Sequence, residues 1–224
     1  MYTGTMKIQE SDMKRMKRLF LMVHAIQAVL ILCAAVVSAQ GQEQVAFVLS
    51  INGKLEIRHT STAEWIAAKT KDPLYNGSQL RTATGDKAII IYPASGSRVL
   101  VYENTTIEIH VEGTGAGAKP SVERTRLLVG EIYNQARGNY EVETPSSVAS
   151  VRGTDFNVRS TPQLDTFVGV QGIIGIMNQF GSVILNQFQV TSVQPNQPPA
   201  QPTNLTPNET NLLIQSIMVN SAPR

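Results

Sequence analysis

Short runs of alternating apolar and polar residues fill the chain from Val45 to Val190, separated by glycine, asparagine and proline. Successive side chains of a β-strand point to opposite faces, so this alternation predicts half-buried strands. The strand candidates are 87–92, 98–102, 106–111, 126–133, 140–144, 148–151, 155–159, 166–170, 173–177, 182–186 and 188–193. Many short strands with regular turn signals predict an all-β sandwich or β-roll of about ten to twelve short strands.

The segment FVLSINGKLEIR, residues 47–58, places Asn52-Gly53 between two apolar runs. Asn-Gly is a strong signal for a two-residue hairpin turn, because both central positions of that turn need positive φ. The pattern therefore predicts a β-hairpin over residues 47–58.

The apolar positions change phase within SVASVRGTDFNVRS, residues 147–160. Ala149 and Val151 are odd-numbered, whereas Phe156 and Val158 are even-numbered. A shift of one residue moves a strand's apolar set to its opposite face. All four side chains can face one core only if the chain absorbs a residue between them, and we expect Phe156 and Val158 to be buried.

Gly153 is the residue of this stretch best suited to a left-handed backbone, which predicts a β-bulge or tight bend at 152–154. We expect Thr154 and Asp155 to bond local backbone amides, and Arg152 to pair with a nearby carboxylate or carbonyl. A catalytic or anion-binding turn is the alternative interpretation, and the structural one is favoured because strand glycines often mark bulges.

Both ends of the chain depart from the strand pattern. Four basic residues precede the apolar stretch LFLMVHAIQAVLILCAAVV, which is followed by a small-residue site ending at Ala39. These features predict a signal peptide over 1–39, with the true start at Met13 or Met16, and an uncleaved membrane anchor is the alternative. The β-domain is expected over 45–193, followed by a Pro-rich linker and a short helix over 194–224.

The helix prediction rests on Thr206-Pro207-Asn208-Glu209. It combines an N-cap threonine, a proline at the first helical position and a glutamate that completes a capping box. The pattern predicts a helix over about 207–219, either docked or partly frayed.

Composition and charge narrow the possible functions. The 224-residue chain is 42% hydrophobic and carries a formal charge of +2, of which residues 1–39 contribute three, so the remainder carries −1. Without a basic surface, a role with nucleic acid is not expected, and a membrane would be contacted only through an uncleaved leader. Cys33 is the only cysteine and lies in the leader. An exported protein without disulfides fits the periplasm or another bacterial extracytoplasmic compartment.

The sequence offers little catalytic chemistry. His59 and His110 are the only histidines outside the leader, and no other histidine or carboxylate stands at metal-ligand spacing from them. Phosphate loops, nucleophile elbows and zinc-protease motifs are absent. Glu141 and Glu143 share a strand face, which is more often a solvated edge than an acid–base pair. We therefore expect no enzyme activity, no cofactor and no metal.

Several segments, in order, resemble the FecR domain family. GSQLRTATGDKAIIIYPASGSRVLVYENTTIEI (77–109) is similar to its "G-x-x-LRT" strand pattern, and LLVGEIY (127–133) to its "L-x-x-G-x-L" segment. YEVETPSSVASVRGTDFNV (140–158) resembles its "V-x-T-P" and "V-R-G-T-x-F-x-V" motifs, and TFVGVQGIIGIMN (166–178) fits the strand pair that follows. The family-motif positions are Arg152, Gly153, Thr154, Asp155 and Phe156 at the kink, with Gly77, Leu80, Arg81, Thr82, Gly96, Gly130, Thr144 and Pro145 elsewhere.

The resemblance implies a non-catalytic, β-rich extracytoplasmic domain that binds a protein or an envelope component as a scaffolding module. The family's named member senses a loaded outer-membrane transporter and signals to an anti-sigma segment inside the cell. Residues 1–18 are shorter than that helical segment, so direct sigma-factor control is not expected here. A signal-anchored component of an envelope signalling system, related to iron-uptake regulators, is the alternative, and a polysaccharide-active envelope hydrolase is a weaker one.

The sequence offers three candidate contact surfaces for an envelope protein or cell-wall component. Sheet edges can accept a partner strand, and the Pro-rich tail can be bound in extended form. Trp65, the only tryptophan, stands beside Ile66, and we expect it to pack in the core rather than at an interface.

Overall fold

A computed structural model describes residues 43–113 and 122–221. This part of the chain holds seventeen strands and one helix. The strands are β1 (Gln44–Asn52), β2 (Glu56–Arg58), β3 (Ile66–Ala67), β4 (Pro73–Tyr75), β5 (Gln79–Arg81), β6 (Lys87–Tyr92), β7 (Ser97–Val101), β8 (Thr106–Glu112), β9 (Val122–Gln135), β10 (Asn139–Glu143), β11 (Val148–Arg152), β12 (Asp155–Ser160), β13 (Asp165–Gln171), β14 (Ile174–Asn178), β15 (Gly181–Leu185), β16 (Gln189–Val193) and β17 (Thr203–Asn204). The helix is α1 (Pro207–Ser221).

The strands form two open sheets that share β9. Sheet A has the order β4-β1-β6-β7-β9-β12-β13-β16-β17. Sheet B has the order β3-β2-β5-β8-β9-β10-β11-β14-β15. The first half of β9 pairs with β8 and β10, and its second half pairs with β7 and β12. All neighbours are antiparallel except β9 and β10.

The two sheets face each other across one apolar core. Alternate residues of nearly every long strand are buried, including Ile90, Ile107, Ile132 and Ile176. Tyr140 joins the two sheets, because its ring meets Tyr92 of sheet A at 5.9 Å between centroids and Phe156 of the same sheet at 6.4 Å. The all-β sandwich expected from the alternation is therefore confirmed.

More strands are present than the ten to twelve expected. The additional ones are two or three residues long: β2, β3, β4, β5 and β17. Strands this short contain too few positions for an alternation to register, so hydrogen bonding to longer neighbours is what defines them.

The expected hairpin over residues 47–58 is wrong. β1 pairs with β4 and β6 in sheet A, whereas β2 pairs with β3 and β5 in sheet B. Gly53 does take a positive φ of 88°, so the turn signal was correct in its local conformation. The turn carries the chain from one sheet to the other, and Asp86 holds it by accepting a hydrogen bond of 2.9 Å from the backbone N–H of Lys54.

The tight bend expected at 152–154 is present, and it connects the two sheets. β11 ends at Arg152 in sheet B, and β12 begins at Asp155 in sheet A. Gly153 between them has a φ of 66°. Ala149, Phe156 and Val158 are fully buried, so the phase change in the sequence marks the crossing between two sheets that bury the same core.

The Pro-rich segment after β16 folds back along that strand. Ala200 N–H donates to Ser192 O at 2.9 Å, Thr191 Oγ1 donates to Ala200 O at 2.6 Å, and β17 then pairs with β16. The helix α1 follows at Pro207, as predicted. Among the described residues, no helix is both long enough and apolar enough to cross a membrane. The predicted leader, residues 1–39, lies outside the described residues.

Candidate functional site

Two of the family-motif residues, Thr82 and Gly130, lie near the point where β9 passes from sheet B to sheet A. Gly130, with a φ of 105°, lies against Thr105, whose side chain occupies the space that a Cβ would need. Thr105 Oγ1 accepts a hydrogen bond from Glu131 N–H at 2.9 Å and donates to Glu131 O at 3.2 Å. Thr82 Oγ1 donates to Tyr102 O at 2.5 Å and accepts from Thr105 N–H at 3.1 Å. We call this cluster of Thr82, Thr105 and Gly130 the β9 crossing.

The second group of motif residues forms the bend between β11 and β12. Thr154 is buried, and its hydroxyl donates to Ile173 O at 3.3 Å. Asp155 accepts hydrogen bonds from Arg137 at 2.7 Å and from Tyr133 at 3.4 Å. The expected bonds from local amides to Thr154 and Asp155 are therefore wrong, because the side chains reach groups on other strands and turns.

Arg152 also differs from expectation. Its side chain is exposed, and within the described residues it forms no ion pair or side-chain hydrogen bond. Arg137 is the residue that pairs with a carboxylate at this bend. Arg137 comes from the turn after β9, on a different part of the chain from Asp155, so no local pattern predicts that the two residues pair.

The remaining motif positions shape turns or fill the core. Gly77 and Gly96 take positive φ of 85° and 81°, and their N–H groups donate to Ile109 O and Tyr92 O, both at 2.8 Å. Leu80 is fully buried, and Thr144 closes the turn before β11 by donating to Ser147 O at 3.0 Å. Pro145 is exposed in that turn. Arg81 contacts the ring of Trp65.

A buried polar network ties the two sheets together at the core. Tyr140 Oη donates to Thr125 Oγ1 at 2.7 Å and lies 2.9 Å from Asn134 Oδ1, while Tyr92 Oη lies 2.9 Å from the same Thr125 oxygen. Burial raises the pKa of Tyr140 and Tyr92 well above that of a free tyrosine, so both hydroxyls stay protonated. The network links β10 to β6 through Thr125 of β9.

A ladder of charges crosses the outer face of sheet B. Arg124 contacts Glu112 at 2.6 Å and Glu141 at 2.7 Å, and Arg126 contacts Glu143 at 3.1 Å. Bonds to Glu141 and Glu112 raise the pKa of Arg124, which stays charged. Glu141 and Glu143 were expected on a solvated edge. They instead belong to β10, in the middle of the sheet, and pair with the arginines of β9.

Trp65 does not enter the core, contrary to expectation. Its ring is half-buried at the surface of sheet B, between the guanidinium groups of Arg58 at 4.6 Å and Arg81 at 4.3 Å from the ring centroid. Arg81 is further held by Glu56 at 2.6 Å. A cation over the face of an indole is attracted by the ring while the guanidinium group keeps its contact with water, so the two arginines stabilise this surface position.

A shallow cleft of about 510 Å³ opens at one end of sheet A. It is lined mainly by polar groups, among them Lys87, Glu103, Glu131, Arg159 and Ser216. Glu131 and Glu103 already accept hydrogen bonds, from Asn157 at 2.9 Å and from Gly85 N–H at 2.6 Å. The cleft is lined by both cationic and anionic side chains, so no one sign of charge dominates it and favours a ligand of the opposite sign.

No group of three or more His, Cys, Asp or Glu side chains in residues 43–113 and 122–221 is arranged to hold a metal ion. His59 meets Ser78 at 3.3 Å and the edge of the Tyr75 ring, and His110 pairs with Glu108. The charge ladder is the feature that the sequence analysis missed, although Glu and Arg at i, i+2 spacing on neighbouring strands could have revealed it.

The chain is similar to a known protein family in sequence and to solved structures in fold. Residues 78–171 match the family described as "FecR protein". Two crystal structures of "a putative anti-sigma factor" from Parabacteroides distasonis ATCC 8503 share the fold, each with a TM-score of 0.51 at 16% sequence identity. The similarity covers 61% of this chain and 64% of theirs. No curated protein matches by sequence.

Proposed function

We propose, because residues 78–171 match the FecR protein family, that the chain is a non-catalytic regulatory protein whose β-sandwich binds a protein or an envelope component outside the cytoplasm. The family match is the observation that carries the proposal. The leader predicted over 1–39 supports an extracytoplasmic location.

The use of the motif residues supports binding rather than catalysis. The motif residues Gly130 and Thr82 fix the β9 crossing through Thr105, and Thr154 and Asp155 fix the second crossing. The residues that mark the family therefore hold the sandwich in shape. A domain of this kind acts through the surfaces that the shape presents, which is how FecR-type signalling domains would contact partners.

A signal-anchored component of an envelope signalling system is the second candidate. The anti-sigma description of the structural neighbours favours it, because that description names a signalling role. N-terminal sequencing of the native protein distinguishes the two forms. A start at Gln40 supports the exported form, and an intact leader supports the anchored form.

A gene-deletion strain tests the regulatory role. We expect its transcript levels to differ from the parent at a limited set of genes, and the full chain to restore them. A chain lacking residues 1–39 is the matched control, since it keeps the β-sandwich but stays in the cytoplasm. Restoration by both chains would contradict an extracytoplasmic role, and unchanged transcripts in the deletion strain would contradict regulation.

The hydrolase alternative is the least supported. Glu141 and Glu143 each pair with an arginine on the same sheet, so the two carboxylates do not stand as a free pair. Turnover of cell-wall or capsular glycans by the purified protein would support the hydrolase alternative over the other two.

A further inference from the structure

The four edges of the two sheets differ in how they are protected against pairing with another strand. β3 and β17 are two residues long, and Pro202 and Pro207 flank β17. β4 begins at Pro73 and follows a charged pair, Lys71 and Asp72. Short length, proline and charge are the devices by which proteins block edge pairing. β15 has five residues and none of these devices.

β15 also lies in a long uncharged part of the chain. No Asp, Glu, Lys or Arg occurs between Asp165 and Glu209. Four large apolar side chains on the β14–β15 hairpin and its flanks are about half exposed: Ile173 at 61%, Met177 at 54%, Phe180 at 48% and Ile184 at 59%. We call β15 together with these four side chains the apolar edge. Contiguous apolar surface of several hundred Å² marks interaction sites on soluble proteins.

The far side of β15 is open among the described residues. β15 pairs with β14, from Ile174↔Leu185 to Asn178↔Gly181, and no other described strand pairs with it. Pro198 lies close to Gly181. Gly181 is on the same strand face as the buried Val183 and Leu185, so this contact is on the inner face of the sheet. Alternate residues of an edge strand direct their backbone N–H and C=O groups away from the sheet. These groups are therefore available to a further strand.

The sequence of β15 suits a second copy of itself. In an antiparallel pair centred on Val183, Ile184 of each copy lies opposite Ser182 of the other, so a large side chain meets a small one on the outer face. Neither strand carries a charge that would repel its copy. Such a contact uses the same patch on both chains, which is the self-complementary arrangement of a two-fold dimer.

We propose that β15 pairs with β15 of a second copy of this chain, so that two B sheets form one continuous sheet across a two-fold axis. Backbone hydrogen bonds between the strands, and contact of Ile184 on each copy with Ser182 of the other, stabilise the pair. The proposal goes beyond the regulatory role, which a monomer could also perform.

Replacing Ile184 by lysine tests the interface, because lysine on an edge strand blocks strand pairing. The protein recovered from cells expressing the full chain is examined by analytical ultracentrifugation at micromolar concentration. We expect twice the mass of one chain for the wild type, and at least a hundredfold weaker association for Ile184→Lys. Ile66→Lys is the matched control, since Ile66 is 52% exposed on β3 at the opposite edge of sheet B, and we expect it to remain a dimer. Unchanged circular dichroism shows that both variants are folded.

A monomeric wild type, or a dimer that Ile184→Lys leaves intact, would overturn the proposal. Capture of a different protein through β15 by a monomeric chain would overturn it as well, because it would assign the edge to another partner.

Cysteine cross-linking tests the register. Ser182→Cys and Ile184→Cys are made separately in a Cys33→Ser background. Residues opposite each other in an antiparallel pair have Cα atoms about 4.5–5.5 Å apart, within the range of a disulfide. We expect a disulfide-linked dimer when the two variants are mixed, and at least tenfold less from either variant alone. Equal cross-linking in all three samples, or none in the mixture, would contradict the register.

Discussion

At the residue scale, the polar side chains that were candidates for a binding site stabilise the backbone at the points where the chain passes between sheets. Thr154 and Asp155 were candidates for an anion-binding turn, yet they hold the crossing between β11 and β12 through Ile173 O and Arg137. Gly130 was predicted only as a family-motif position, yet its lack of a side chain leaves the space that Thr105 occupies. A polar residue at a strand break is therefore as informative about sheet crossings as about chemistry.

Gly130→Ala tests the β9 crossing. A Cβ at this position would stand 2.5 Å from Thr105 Cα, and the φ of 105° is unfavourable for alanine. We expect the free energy of unfolding to fall by about 3 kcal/mol or more, since backbone strain and overpacking add. Gly77→Ala is the control, because its φ is also positive but nothing lies within 4 Å, and we expect a loss of about 1 kcal/mol. Urea unfolding measures both, and equal losses would contradict the steric argument.

Glu123→Gln tests the buried carboxyl group at the start of β9. Burial raises the pKa of Glu123 above 4.5, partly offset by hydrogen bonds from Ser95 and Ser97. The folded state thus binds this proton more tightly than the unfolded chain, so the stability it contributes is complete below pH 4.5 and is lost as the pH rises through the folded pKa.

We expect Glu123→Gln to match the wild type in melting temperature near pH 4 and to exceed it increasingly toward pH 7. The exposed Glu64→Gln controls for the loss of one negative charge. A glutamine variant that is less stable than the wild type at pH 7 would contradict this prediction.

At the element scale, the alternation of apolar and polar residues identified the strands, but it did not identify which strands pair with each other. β6, β7, β12 and β16 begin and end within about a residue of the expected positions. β9 extends further than expected, over Val122–Gln135, because two different sets of neighbours hydrogen-bond to its two halves. A strand's own sequence records which face is buried, and says nothing about which strands lie beside it.

The helix α1 begins at a capping box that was read from the sequence. Thr206 N–H donates to Glu209 Oε2 at 2.8 Å, and Glu209 N–H donates to Thr206 Oγ1 at 3.3 Å. Hydrogen bonds to the carboxylate from the Thr206 hydroxyl, at 2.6 Å, and from the Thr206 N–H lower the pKa of Glu209, so the cap is charged at neutral pH. Because every residue of a capping box lies within one turn, tertiary contacts are not needed to specify it.

Thr206→Ala tests the cap. We expect amide hydrogen exchange in the first two turns of α1 to accelerate about fivefold, the effect of losing an N-cap hydroxyl. Thr210→Ala is the control inside the helix, where alanine has the higher helix propensity, and we expect exchange there to be unchanged or slower. Equal acceleration in both variants would show that the cap does not govern the helix end.

At the scale of the whole molecule, the shared strand β9 makes the two sheets one cooperative unit. The network of Tyr92, Tyr140, Thr125 and Asn134 adds polar bonds across the same core. Neither sheet can lose β9 without exposing the apolar face of the other. Unfolding of the β-sandwich is therefore expected to occur in a single transition.

Ile107→Ala tests this coupling. Ile107 is fully buried on sheet B, and its truncation is expected to cost about 2–5 kcal/mol. The fluorescence of Trp65 reports on sheet B, and amide exchange of β13 and β16 reports on sheet A. We expect both probes to shift to the same lower denaturant midpoint. A shift confined to Trp65 would show that the sheets unfold separately.

The sequence by itself determined the local features of this protein: the all-β class, the buried positions of each long strand, the bend at Gly153 and the capped helix. Each depends on periodicity or on a few neighbouring residues. The tertiary structure alone decided that Gly53 and Gly153 carry the chain between sheets, that Trp65 stacks on two arginines and that β15 remains an unprotected edge. Those outcomes depend on pairing between residues distant in the chain, and the alternation within one strand contains no record of its neighbour.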